Sequence, residues 1–393
     1  MELRRIDSFQ RQGVCDLIFH PDGQRAISGG RQISVWGLSS GQRLAEWTAH
    51  ETGRERVSLW STLQLHPDGE RLFSCIQGET KAFALATGRL LWTAAGRLGP
   101  LFAQGKRAAL IDRGNLAVLD LDTGQIGRSM KVEKLISPLY HPAMEDMTQE
   151  EIDAHTPSAS IGVVAKVHDG RLAVGTDTDG TDLFDPETGA VEHLRTWRLG
   201  EVLPGGRALV TLDGGHFVIV EATTGKKLFS LGDPAVGLSA LHPDGRRLYG
   251  AYLTNLVGWD LTTGQRLPGF DKVDKTRITE LSCEESGRYL LFTAYGRQRV
   301  VRLDLASGRR RALPLPEGSL TSNLGGPHPT PGLVLGISET ALLLWEVARA
   351  KLVGHFATGL LGQPRAAAGP SGALAAWNCD QWGQDAGFVI YAP

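Results

Sequence analysis

The chain has 393 residues, a length that would ordinarily hold two or three domains, with 41 Lys plus Arg against 43 Asp plus Glu. That near-balance leaves no excess positive field to attract a phosphate backbone, so nucleic-acid binding is not expected. Four cysteines, Cys15, Cys75, Cys283 and Cys379, stand far apart with no C-x-x-C pair, which argues against a zinc cluster or a disulfide framework and fits a reducing cytoplasm.

The N-terminus, MELRRIDSFQ, carries charges where a secretory signal would be apolar, and no run of 18 apolar residues occurs. A cytoplasmic, uncleaved chain without a membrane span is therefore expected. The first segment, Glu2 to Phe9, precedes a pattern that then repeats to the C-terminus. Each unit has an apolar run (Leu17 to Phe19, Leu63 to Leu65), a glycine turn, and a second apolar run. A strand closing on an aromatic or apolar residue follows, then another glycine turn. The first turn glycines are Gly23, Gly69, Gly105, Gly170, Gly206, Gly245, Gly287, Gly332 and Gly372. Three of these turns read HPDG, at His20, His66 and His242. In them proline presets φ, aspartate bonds its own backbone and glycine takes φ > 0. Because the three histidines repeat in register, a turn role is expected of them rather than catalysis.

The third strand of each unit ends on Trp36, Phe83, Leu119, Phe184, Val220, Trp259, Leu303, Trp345 or Tyr391, and a glycine follows five residues later in the first seven. Ala350 takes that place after Trp345, and the chain ends soon after Tyr391. A period of roughly 40 residues made of four short strands is the signature of a β-propeller. The expected fold is therefore all-β, a single closed propeller of about nine four-stranded blades spanning 1–393. Because the last unit lacks its fourth strand, Glu2 to Phe9 is expected to supply it.

Pieces such as SVWGLSSGQRLAEW (34–47) and LLLWEVARAKLVGHF (342–356) resemble WD-repeat blades, and ALATGRLLW (84–92) is similar to a quinoprotein-type repeat. The resemblance, a bacterial-type one at the level of architecture, implies a propeller that serves as a scaffold or carries a site in its central channel.

The units differ mainly in their connections. From the second turn position to the next first-turn glycine the spacing runs from 17 residues (88 to 105) through 28 (41 to 69) to 46 (124 to 170). All of that extra chain leaves one end of the blades, and insertions of this kind map to the binding face. Candidate partner-binding residues are Arg54, Arg56 and Trp60 in the first long connection, with Trp377 and Trp382 in the last unit. Trp377 can equally end the second strand and pack between blades. The insertion 132–160 carries Thr148 and Glu151 as a capping box for a short helix between blades three and four. Met144 and Met147 are its anchors, and Glu150, Glu151 and Asp153 form an acidic face.

Catalytic patterns are sparse. GTDTDGTD (175–182) reads as a turn rather than a calcium loop, with Asp177, Asp179 and Asp182 falling in it. No convergent His and Asp ligands are visible, so neither a metal nor another cofactor is expected. Arg297, Arg299, Arg302, Arg309, Arg310 and Arg311 make the one basic cluster, decorating blade seven or meeting an acidic partner. The expected function is non-enzymatic recognition of another protein, as a subunit of a multiprotein assembly, through the long-connection face. The alternatives are a propeller enzyme of lactonase or quinoprotein type with a central-channel site, and a small-ligand or glycan binder using Trp60 and Trp382 as stacking platforms.

Overall fold

The structure, a computed structural model, describes residues 4–8, 16–50, 62–76, 78–112, 115–131, 161–166, 169–176, 181–194, 197–212, 217–231, 238–269, 277–294, 299–317, 323–338, 340–360, 365–378 and 387–392. Among these residues the fold is all-β, with nine four-stranded antiparallel sheets that are the blades of a β-propeller. Blade one covers 16–48, two 62–95, three 97–131, four 161–194, five 197–230, six 238–267, seven 278–312, eight 323–357 and nine 365–392. In each the strands lie in chain order, here lettered a to d. Every strand-c residue anticipated from the repeat, from Trp36 to Tyr391, sits in strand c of its blade.

Blade nine has only three strands of its own, and Arg4–Ser8 is its fourth. The N-terminal strand runs antiparallel to Gly387–Ala392, with Arg4 opposite Ala392 and Ser8 opposite Phe388. Ile6 is thereby buried beside Phe388, Ile390 and Trp36.

By their contacts the residues form two compact units, 1–93 with 236–393, and 94–235. In the first, each apolar cluster lies between two successive blades. Trp36, Trp377 and Phe388 fill the space between blades nine and one, and Ile27, Leu63 and Phe83 that between one and two. Tyr289, Leu343 and Trp345 do the same for seven and eight. In the second unit Phe102, Val118, Leu172 and Phe184 join blades three and four, and Leu183, Val218 and Val220 join four and five. Alternation along a strand puts one side chain on each face, so both faces of a blade need a neighbour.

The turns obey the repeat closely. All nine first-turn glycines have φ between 66 and 92°. Seven glycines at the c/d turns share the left-handed conformation, and Ala350 adopts it too, at φ 48°, with its methyl buried. A Cβ there costs conformational energy that glycine avoids. Asp182, read as part of a turn, instead lies within strand c of blade four (Thr181–Phe184), and its carboxylate meets His193 Nδ1 at 2.8 Å.

Two outcomes follow. Deleting residues 1–9 should lower the melting temperature by several degrees and promote aggregation, because it exposes the Gly387–Ala392 edge and uncovers Trp36 and Phe388. An unchanged melting curve by circular dichroism would refute the role of the N-terminal strand. Ala350→Gly should stabilise the chain by about 0.5–1 kcal/mol in urea denaturation, since relief of strain outweighs the added chain entropy.

Candidate functional site

The polar residues that the repeat places in the a/b turns act between blades. His20 ends strand a of blade one; its backbone N–H bonds Arg25 O and its carbonyl takes Gly23 N–H, which closes the turn. The buried ring reaches the next blade, where Nε2 lies 2.9 Å from Gly69 O, and His242 Nε2 stands 2.8 Å from Gly287 O in the same way. Nε2 therefore carries the proton, and Nδ1 accepts from the N–H of Asp22 or Asp244 at 3.1 Å. Glycine is required at the receiving turn: a Cβ at Gly69 would stand 2.8 Å from His20 Nε2, and one at Gly287 2.3 Å from His242 Nε2. At blade eight the Gly372 backbone takes the corresponding place before His328, although Nε2 there falls outside hydrogen-bond geometry.

An arginine completes each HPDG turn. Arg25, Arg71 and Arg247 donate through Nε to Asp22, Asp68 and Asp244 at 2.8–2.9 Å and bring Nη2 to 2.8–3.0 Å from Nε2 of the histidine. The motif is thus H-P-D-G-x-R. Burial pushes the Asp244 carboxyl up, but hydrogen bonds from Arg246 N–H and Arg247, with the Arg247 charge, outweigh it and hold the group at about 2. Asp22 and Asp68 move down for the same reasons. At the c/d turns Asp185 is lowered by the Thr188 hydroxyl and Asp260 by the Thr262 N–H.

A second set of ties runs along strand a. Asp16, the first residue of blade one, accepts Leu63 N–H of blade two at 2.8 Å; burial raises its pKa, against the hydrogen bonds from Leu63 and Leu17. Glu280 in blade seven accepts Leu324 N–H of blade eight at 2.8 Å and the Thr293 hydroxyl at 3.0 Å. In the second unit the ties are ionic or made to carbonyls: Arg107 to Glu187 between blades three and four, and Arg171 to Thr223 O between four and five.

Beside Glu280 lies a cavity of about 340 Å³, bounded by strand a of blade seven (Ile278–Cys283) and the first residues of blade eight. Its polar lining is Thr279, Glu280, Ser282, Cys283, Glu284, Glu285 and His328. Burial and the nearby Glu284 push the Cys283 thiol up to about 12, so it stays protonated and is a poor nucleophile at neutral pH. Burial lowers the His328 pKa, so its ring is neutral at pH 7. Glu280 is held by the neighbouring blade, and Glu284 accepts the Ser286 hydroxyl. Among the described residues no group of three or more His, Cys, Asp or Glu could hold a metal ion.

Of the partner-binding candidates, the structure places Trp377 alone. It lies in strand b of blade nine (Leu374–Asn378), 7 % exposed, inside the cluster between blades nine and one. Its ring is packing and offers no free face to a partner, because strand alternation turns it toward Trp36 and Phe388. Arg54, Arg56, Trp60 and Trp382 lie outside the described residues, as do Asp177, Asp179 and the insertion 132–160 with Met144, Met147, Glu150, Glu151 and Asp153. The sequence shows Glu280 only as an isolated carboxylate on an inner strand, and the inter-blade ties made by Asp16 and Glu280 were missed; their only signal is an acid within a strand that is otherwise apolar.

No protein-family model and no curated protein matches the chain. Solved structures do. The dihydro-heme d1 dehydrogenase NirN, solved in complex with DHE, is a β-propeller that aligns at 12 % identity and TM-score 0.57 over 89 % of this chain and 74 % of its own. The computationally designed Ika8 protein aligns at 15 % identity and TM-score 0.56 over 87 % of this chain and 98 % of its own. An enzyme and a designed protein match equally well, so the likeness speaks for the propeller fold alone. The quinoprotein-like resemblance read from the repeat agrees with it.

The site chemistry sets a pH dependence. Asp22, Asp68, Asp185, Asp244 and Asp260 all have folded-state pKa values below the unfolded one, so their contribution is full above the ordinary carboxylate range and is lost as pH falls through the folded values, about 2 for Asp244. Asp16, raised by burial, acts in the opposite sense. Asp244→Asn should cost about 1–2 kcal/mol at pH 7 and make the acid limb shallower between pH 4 and 2. Parallel limbs in variant and parent, measured by urea midpoints against pH, would show that the turn carboxylate contributes nothing to acid sensitivity.

Proposed function

We propose that the chain is a non-enzymatic recognition propeller that binds another protein, in the manner of a scaffold subunit. The observation that carries this reading is the contrast between the two ends of the blades. At one end, all nine first-turn glycines share one conformation. At the other, the connection after Lys131 runs 29 residues before Ile161, whereas Ala95 and Arg97 are one residue apart. Conserved scaffold geometry with variable connections on one side is how repeat proteins carry binding surfaces. The polar groups support it, since Asp16, Glu280, His20 and His242 are occupied in holding blades together. Among the described residues no helix is long and apolar enough to cross a membrane, and action in the cytoplasm is part of the proposal.

A second reading is favoured by one observation: the 340 Å³ cavity beside Glu280 has a partly polar lining that includes Glu280, Glu284, Glu285 and His328. A small ligand bound there, or a propeller enzyme, would follow. Metal analysis and an absorption spectrum of protein purified from its native cell separate the two readings, since a stoichiometric metal or chromophore favours the second.

The test of the first reading is to replace 133–160 with a short Gly/Ser linker. The shortened chain should melt within a few degrees of the parent, because doubling a loop costs only about 0.6 kcal/mol of closure entropy. Its yield of co-purifying protein from native lysate should fall at least tenfold, and reversal of Glu150, Glu151 and Asp153 should reproduce part of the loss. A shortened chain that retains its partners in full sinks the assignment of that segment.

A further inference from the structure

We propose that a groove between strands d of blades seven and eight docks an acidic, extended peptide segment of another protein. This surface is independent of the long connections, because it lies at the end of the blades that carries the c/d turns. The groove has a volume of about 520 Å³, with Arg311, Arg349 and Lys351 as its walls and Ala312, Pro314 and Leu352 on its floor.

Blade seven departs from the repeat here. Three residues after the c/d turn position blades one, two, five, six and eight place Leu44, Leu91, Leu228, Leu267 and Val353, blades three and four place Gly127 and Glu192, and blade seven alone places a cation, Arg311. The backbone differs from that of blades one, five and eight, as it does in blades four and six, whose strands d also pair without a bulge. In blades one, five and eight, strand d bulges at Leu44, Leu228 and Val353. Strand d of blade seven (Arg310–Ala312) pairs without a bulge, Arg310 opposite Leu303 and Arg311 opposite Arg302, and all three of its residues are exposed. It is the last strand of its sheet, so its outward backbone groups have no partner strand and can receive an extended peptide.

The cations are poorly neutralised. Among the described residues no carboxylate pairs with Arg309, Arg311 or Lys351. Arg349 meets Glu346 only at 3.4 Å and is 77 % exposed, a pairing of little strength. In a chain whose net charge is −2, this excess is local.

The groove is also held in shape before any ligand arrives. Arg302 lies over the Tyr289 ring at 4.7 Å and donates to the carbonyls of Val347 and Ala348, which fixes the blade-eight turn bearing Arg349. Trp345 Nε1 donates to Pro314 O at 2.8 Å and fixes the floor. Walls and floor that need no reordering lower the entropic cost of binding. An acidic peptide fits better than a nucleic acid because the floor is aliphatic and no aromatic side chain lines it for base stacking. The exposed Val353, next on strand d of blade eight, adds an apolar contact for a residue between the acids.

The experiment is fluorescence anisotropy of the full chain with a labelled peptide of alternating glutamate and leucine. Saturable binding is expected, weakening steeply with added salt. R311E with K351E should reduce affinity at least about tenfold and R311Q alone severalfold, by loss of charge complementarity, with melting temperatures unchanged because these side chains are exposed. A lysine/leucine peptide should not bind. Equal binding by parent and charge-reversed chain would overturn the proposal. So would tighter binding of a single-stranded DNA oligomer, or complete displacement of the peptide by inorganic phosphate where chloride of equal ionic strength has no effect, since either assigns the groove to another anion.

Discussion

A blade of four short strands has two faces to bury and only its neighbours to bury them against, so everything in this chain depends on how successive blades are locked in register. Apolar burial supplies the bulk of the energy but is non-directional. The side chains that enforce register are polar. His20 and His242 reach the turn carbonyl of the following blade, and Asp16 and Glu280 reach its strand-a N–H groups. A buried donor left without its acceptor costs about 1–3 kcal/mol, so each tie penalises a slipped neighbour more than it stabilises a correct one. Specification of register is therefore the main role of these residues.

That role limits what else they can do. A general base or metal ligand must present a free lone pair to a substrate or ion, yet both oxygens of Asp16 receive backbone N–H groups, and Glu280 Oε2 receives two donors. The Cys283 thiol, pushed up to about 12, is the opposite of an activated nucleophile. The hydrogen bonds that align the blades thus engage Asp16 and Glu280 Oε2 in the scaffold itself.

Most of the fold was legible because the repeat is written in glycines and strand-c apolar residues, both under strict backbone or burial demands. Trp36, Trp259 and Trp345 are all buried, and each first-turn glycine needs φ > 0. Completion of blade nine by the N-terminal strand was legible from a count of strands. The partner side of each tie was not. Nothing in the local sequence around Asp16 says that its acceptor atoms face Leu63, because that contact spans 47 residues and exists only once two blades are packed. Trp377 illustrates the other gap: a tryptophan at a strand end reads alike as hot spot or core, and only the neighbouring Phe388 and Trp36 decide for the core. The acid in the c/d turn, by contrast, could have been read: Asp120, Asp185, Asp260 and Asp304 each directly follow a strand-c residue and accept the turn's N–H groups.

In a repeat protein the informative residues are those that break the repeat without breaking the fold. At the position where blades one, five and eight show an apolar side chain to solvent, blade seven shows Arg311 on a strand that pairs without their bulge. Arg302 ties blade seven to the carbonyls of the next blade, as Arg171 ties blade four to Thr223 O, while its guanidinium rests on Tyr289. A purely structural arginine cluster would be closed by carboxylates, as Arg171 is by Asp169 and Glu192 in blade four. Arg311 and Lys351 have no such closure among the described residues, and the groove they border is held rigid from beneath by Trp345 and Pro314. Uncompensated charge on a preorganised floor is a configuration that stability alone does not favour, because like charges brought together repel. Its persistence in a structure otherwise saturated with ties argues that the missing counter-charges come from outside the chain.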